Sequence, residues 1–270
     1  NNNTCVVSWP NNPITVTTPS PAVIQSVTSA NTSDCNLNDG SISIQVTPGS
    51  SSPVYSIDNG VTWQSSGNFG GLAPGSYTVL VKNSNGTCMV SWSGNPVQIG
   101  GHTAPAITAV QTNDVSDCGL SDGKITITAN PSEGGVLYSV NDGSTWSTNP
   151  VFANLSGGTY AVKVKNSNGT CIVPFAQNPV NINQPIAPVF LNVSSTNVSD
   201  CNLSDGKITI SAQQGNGAVQ YSIDDGITWS SSGNFNGLSA AVYFLKIRNQ
   251  NNTCIVLYPQ NPVIITGPTA

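Results

Sequence analysis

The spacing of cysteine is the clearest chemical signal in this chain. Cys5, Cys88, Cys171 and Cys254 follow one another at intervals of 83 residues, and Cys35, Cys118 and Cys201 form a second series with the same interval. No Cys or His stands at zinc-ligand spacing, so no metal centre is expected, and oxidation to disulfides is the chemistry the pattern favours over reduced, buried thiols. Seven cysteines is an odd number, which in a secreted chain signals a free thiol or an intermolecular bridge. Two phases of pairing are open. One joins Cys35 to Cys88, Cys118 to Cys171 and Cys201 to Cys254, leaving Cys5 unpaired or shared with a preceding repeat. The other joins Cys5 to Cys35, Cys88 to Cys118 and Cys171 to Cys201, leaving Cys254 over. The first keeps each bridge between two proline-rich stretches and is the pairing expected here. A bridge closing a loop of about 53 residues stabilises by up to about 4 kcal/mol in the chain-entropy model.

Carboxylates recur beside these cysteines, at Asp34, Asp117 and Asp200 and again at Asp39, Asp122 and Asp205. Such oxygen-rich loops have the donors for Ca²⁺, which takes six to eight oxygen ligands. The spacing does not match an EF-hand, and turn formation is the favoured role. Trp63, Trp146 and Trp229 also keep the period. They present either packing residues or a platform on which sugar rings could stack. Trp9, Trp92, Phe175 and Tyr258 occupy another repeated position, and interchange among three aromatic types fits packing. Asn2, Asn85, Asn168 and Asn251 each begin an Asn-x-Thr sequon at one repeat position. They are candidate glycosylation sites, although Asn also suits a tight turn.

Catalytic residues are lacking. The chain has one histidine, His102, and one glutamate, Glu133, neither repeated. A triad, a metal box or a paired-Glu site needs residues that are not there, so no enzyme is expected. Charged residues make up 7% of the chain, and a net charge of −5 with seven Lys and Arg gives no basic footprint for nucleic acid. No apolar run approaches the roughly 18 residues of a membrane span. The absence of a signal peptide and of an initiating Met suggests a mature product or a fragment.

The elements that carry these residues repeat as well. Ser33 opens SDCNLNDGSISI, Ser116 SDCGLSDGKITI and Ser199 SDCNLSDGKITI. Alternating segments such as KITITA from Lys124 and YAVKVK from Tyr160 predict strands. Asp58-Asn59-Gly60 and its repeats predict hairpins, because Asn and Gly tolerate positive φ. The expected fold is all-β, a series of tandem immunoglobulin-like sandwiches on an 83-residue repeat. The expected domains are 21–100, 104–183 and 187–268, with 1–18 the closing strand of a preceding repeat or a strand lent to a neighbour. Asn12-Pro13, Asn95-Pro96, Asn178-Pro179 and Asn261-Pro262 introduce a last short strand before each proline-containing, semi-rigid linker.

Three motifs together carry a resemblance. A Cys and an Asp-Gly precede a strand, a hairpin reads YSIDNGVTW from Tyr55, and FGGLAPGSYTVLVKNSNGTC runs from Phe69. The chain thereby resembles the SprB-type repeats of large Bacteroidota surface proteins, including gliding adhesins, along essentially its whole length. Ala241 departs from the pattern, standing where the other copies have Gly75 and Gly158. The resemblance implies a secreted, surface-attached repeat protein and carries over no catalytic residue. The function expected is a segment of an extracellular fibre or adhesin stalk, assembling head to tail by chain continuity or strand exchange. A glycan-binding surface module is the alternative.

Overall fold

The structure, a computed structural model, describes residues 16–268. Cys5, Asn2 and most of the closing strand expected in 1–18 lie outside the described residues. The described residues contain strands and turns and no helix. The chain divides into two compact units, residues 1–104 with 168–171, and residues 105–167 with 172–270.

In the first unit the strands are β1 (Val23–Ala30), β2 (Gly40–Thr47), β3 (Pro53–Ser56), β4 (Asn68–Leu72), β5 (Gly75–Tyr77), β6 (Leu80–Asn83), β7 (Val90–Ser91) and β8 (Val97–Ile99). They form the sheets β1-β2-β4, β3-β6-β7 and β5-β8, and all the pairings are antiparallel. The first two sheets correspond to the A-B-E and C-F-G sheets of an immunoglobulin-like sandwich lacking a separate D strand. Ile42 and Ile44 of β2, Tyr55 of β3 and Val81 of β6 meet in one buried cluster with Val79 and Ile99. Alternation along β2 places Gly40, Ile42 and Ile44 inward, as period-2 side-chain geometry requires.

The second unit contains two further sets of eight strands in the same order, starting at β9 (Ala106–Asn113) and β17 (Val189–Thr196). Val23, Ala106 and Val189, which open the three sets, lie 83 positions apart. Each later set has its own core. Ile125, Ile127, Val162 and Val164 anchor one, and Ile208, Ile210, Leu245 and Ile247 the other. Fully burying such a side chain contributes roughly 1.5–3 kcal/mol.

Two sequence signals have direct backbone causes. The Asp-Gly before each long inner strand requires Gly because a Cβ on Gly206 would lie 2.8 Å from the Leu238 carbonyl oxygen and 3.0 Å from Ile265 Cγ2. The Asn of each Asn-Pro acts as a false strand partner. Asn178 Oδ1 accepts the Val162 N–H at 2.8 Å while its Nδ2 donates to the Val162 carbonyl at 2.8 Å. Asn95 and Asn261 do the same for Val79 and Leu245. Val79, Val162 and Leu245 are all fully buried, so these bonds satisfy groups that water cannot reach.

The linker between the second and third sets is held from both sides. Asn183 donates its N–H to Asp114 Oδ1 at 2.8 Å and accepts the Val115 N–H at 2.9 Å. Three residues on, the Ile186 carbonyl accepts from Asn249 Nδ2 at 2.9 Å and from the Asn216 N–H at 3.0 Å. The expectation of a stiff linker rested on proline, whereas here side-chain and main-chain hydrogen bonds supply the restraint.

Candidate functional site

The loop from Ser33 to Asp39 joins β1 to β2, and its shape is set by its own side chains. Asp39 accepts the Ser33 N–H at 2.9 Å and the Ser33 hydroxyl at 2.5 Å, and the Leu37 N–H closes a turn onto the Asp34 carbonyl. Asn36 sits at φ 59°, Gly119 at 75° and Asn202 at 65°. The Asn-to-Gly difference in the middle copy is therefore conformationally neutral, since both residues tolerate the left-handed region. Asp39, Asp122 and Asp205 are held below the usual carboxylate range by the side-chain and then the backbone hydrogen bonds from Ser33, Ser116 and Ser199.

The closing turns are equally self-defined. Asn85 Oδ1 accepts both the N–H and the hydroxyl of Thr87, at 3.1 and 2.7 Å. Asn168 with Thr170 and Asn251 with Thr253 repeat the arrangement. Cys88, Cys171 and Cys254 follow at φ 56°, 60° and 58°. This is uncommon for a residue with a Cβ. Asn85, Asn168 and Asn251 are exposed, as glycan acceptors must be, and each also has a conformational role in its turn.

Loop and turn meet across the repeat boundary. Cys35 is bonded to Cys171 and Cys118 to Cys254, each pair 136 positions apart with Cα atoms 5.1 and 5.0 Å apart. Both expected phases of pairing are thereby corrected, because Cys88 and Cys201 are free thiols. The reason is the length of the sandwich. Cys88 Sγ lies by the Pro19 carbonyl, just before β1 begins, whereas Thr32, near Cys35, bonds Gly100 beyond the end of β1. An eight-residue strand spans roughly 26 Å, while a disulfide tolerates a Cα separation of at most about 7 Å. The loop cysteine can reach only a turn presented from the next repeat.

Asp34 and Asp117, which the sequence offered as calcium ligands, serve this junction. Asp117 Oδ1 accepts the N–H of Cys118 at 2.7 Å and that of Cys254 at 2.6 Å. Asp34 Oδ1 likewise accepts the N–H groups of Cys35 and Cys171. The Cys171 bond, followed by the Cys35 bond, holds the Asp34 carboxyl below its usual range. Asp34, Cys35 and Cys171 have the ligand types and proximity of a metal cluster. Their sulfurs are joined to each other, so neither is available as a thiolate. Sequence reasoning missed the aspartate's role, although an Asp directly before each loop Cys was visible.

Trp63, Trp146 and Trp229 are half-buried at the hairpins. The indole N–H of Trp63 donates to the Gly60 carbonyl at 2.9 Å, and that of Trp229 to the Gly226 carbonyl at 3.0 Å. Cations cover the rings, with Lys82 Nζ 3.9 Å from the Trp63 centre, Lys165 Nζ 4.4 Å from Trp146 and Arg248 Cζ 4.1 Å from Trp229. A stacked sugar would have to displace a cation–π contact of about 0.5–1 kcal/mol. Trp92, Phe175 and Tyr258 pack against the three cores.

No family model matches the chain, and no curated protein matches it. Among solved structures, it is similar to the N-terminal eight immunoglobulin domains of Down Syndrome Cell Adhesion Molecule, at 11% identity and a TM-score of 0.42, covering 92% of this chain and 37% of that one. It is also similar to the three-domain ectodomain of mouse nectin-like molecule 4, at 9% identity and a TM-score of 0.32, covering 93% and 96%. The surface layer protein SbsC, domains 1–6, is similar at 14% identity and a TM-score of 0.24, covering 94% and 41%. The chain thus spans well under half the length of the first and third of these.

Proposed function

We propose that this chain is a structural segment of an extracellular surface fibre or adhesin stalk, built of sandwich repeats at 21–100, 104–183 and 187–268 that are joined in series. The observation that carries this reading is the pairing of Cys35 with Cys171 and of Cys118 with Cys254. Each bond ties the loop of one repeat to the closing turn of the next. A bond inside one sandwich would stabilise that sandwich alone. A bond between successive repeats resists their separation, which is the property a stalk under tension requires.

The two disulfides support an oxidising compartment for the chain. With 7% charged residues and only seven Lys and Arg, the chain carries little positive charge with which to recruit nucleic acid. The SprB-type resemblance and the adhesion and surface-layer proteins among the similar structures agree with a cell-surface location. Head-to-tail self-association is the partner interaction this reading assigns. Electron microscopy of the native material tests it: extended filaments or stalks are expected, and isolated globular particles would overturn the reading.

A further inference from the structure

The two free thiols occupy, in the last and first repeats, the positions that are bonded elsewhere. Cys201 is the loop cysteine equivalent to Cys35 and Cys118, and Cys88 is the closing-turn cysteine equivalent to Cys171 and Cys254. Both halves already have the bonded geometry. Asp200 Oδ1 accepts the Cys201 N–H at 2.7 Å, the distance found at Asp34 and Asp117. Cys88 sits at φ 56°, within a few degrees of the 60° and 58° of the bonded turns.

The exposure of the two halves differs as a missing contact would require. Cys171 and Cys254 are 3% and 2% exposed, whereas Cys88 is half-buried and Cys201 exposed. Asp34 and Asp117 are half-buried and Asp200 is exposed. Beside Cys201 an open cavity of about 490 Å³ is lined by Asp200, Leu203, Ser239, Ala240 and Pro268. Among the described residues, Asp200 Oδ1 takes a single N–H where Asp34 and Asp117 take two.

We propose that the Asp200–Cys201 loop is a docking and bonding site for the Asn85–Cys88 turn of a second copy of this chain. The inference rests on the reading of repeats joined in series. The turn's Cys88 N–H docks on Asp200, and the two thiols are oxidised to a disulfide. With a glutathione-type disulfide as oxidant, the Cys201 thiolate attacks one glutathione sulfur and releases the other as a thiol. The Cys88 thiolate then attacks the Cys201 sulfur and releases the second glutathione thiol. Two protein thiols are oxidised and one glutathione disulfide is reduced.

The test uses two full-length chains of different tag size. One carries Cys5→Ser and Cys88→Ser, offering Cys201; the other carries Cys5→Ser and Cys201→Ser, offering Cys88. They are mixed in a glutathione redox buffer and digested without reduction for mass spectrometry. A Cys201–Cys88 heterodimer, several-fold less abundant when Asp200→Ala is introduced, is the expected result. Homodimers as abundant as the heterodimer, no bond at all, or a yield indifferent to Asp200→Ala would overturn the inference. The same digest reports Cys35–Cys171 and Cys118–Cys254. Loss of those two bonds would defeat the serial reading itself, whereas their presence without Cys201–Cys88 defeats only this inference.

Discussion

Asp117 and Cys254 stand 137 positions apart, yet the Asp117 carboxylate accepts the Cys254 N–H at 2.6 Å while the neighbouring Cys118 holds the Cys254 sulfur. One short loop thus takes both the backbone and the side chain of a single residue from the next repeat. The hydrogen bond positions the turn and the disulfide locks it.

Removing that lock should be costly, and removing a free thiol should not. In the chain-entropy model a bridge across more than a hundred residues stabilises by up to roughly 5 kcal/mol. The double variant Cys118→Ser, Cys254→Ser is expected to lose several degrees of melting temperature under non-reducing conditions. Cys201 is exposed and unbonded, so Cys201→Ser should stay within about 0.5 kcal/mol of the parent. Thermal and urea unfolding without reductant checks both.

The Asn178 side chain stands in for a strand. Asn178→Ala leaves the Val162 N–H without its partner at a site closed to water, while the Val162 carbonyl keeps the Phe175 N–H at 2.9 Å, so the expected cost is about 1–3 kcal/mol for the one orphaned donor. Asn178→Asp restores the acceptor and not the donor, so its loss should fall between those of the Ala variant and the parent. Urea midpoints at neutral pH give the ranking.

Gly206 is fixed by space. Its added Cβ would meet the backbone oxygen of Leu238 as well as the Ile265 side chain, and the backbone contact cannot be relieved by a rotamer change. Gly206→Ala is expected to destabilise by about 1–3 kcal/mol, the usual range for overpacking. Denaturant unfolding measures it.

Acid sensitivity should depend on Asp58. Hydrogen bonds from the Thr62 hydroxyl, the Thr62 N–H and the Ser56 hydroxyl lower its carboxyl from 3.8 to about 2. A depressed folded-state pKa stabilises fully above the unfolded value and is lost as pH falls through the folded one. The contribution should therefore be complete above about pH 4 and fade toward about pH 2. The middle repeat carries Asn141 here with the same Ser and Thr contacts, so Asp58→Asn should fold and show a flatter dependence. Unfolding midpoints across that pH window provide the comparison.

The strands were legible because their causes are local. Alternation in KITITA placed Ile125 and Ile127 inward, and Asn-Gly and Asp-Gly marked turns through their tolerance of positive φ. The cysteine partners were not legible, for a reason that lies in the repeat itself. A strict period makes separations of 53 and 136 equally regular, so spacing could not distinguish a bond within a repeat from one to the next. The choice depends on which end of the sandwich each cysteine occupies, and this follows only once β1 is seen to separate Cys88 from Cys35. Asp117 was recognisable as a recurring acid. Its partner lies 137 positions away, beyond any local pattern.

The serial reading depends on how the cysteines pair, and non-reducing peptide mapping of the native protein reads this directly. Peptides joined through Cys35–Cys171 and Cys118–Cys254 are the predicted result. Peptides joined through Cys35–Cys88 and Cys118–Cys171 would contradict it, because every bond would then close within a single repeat.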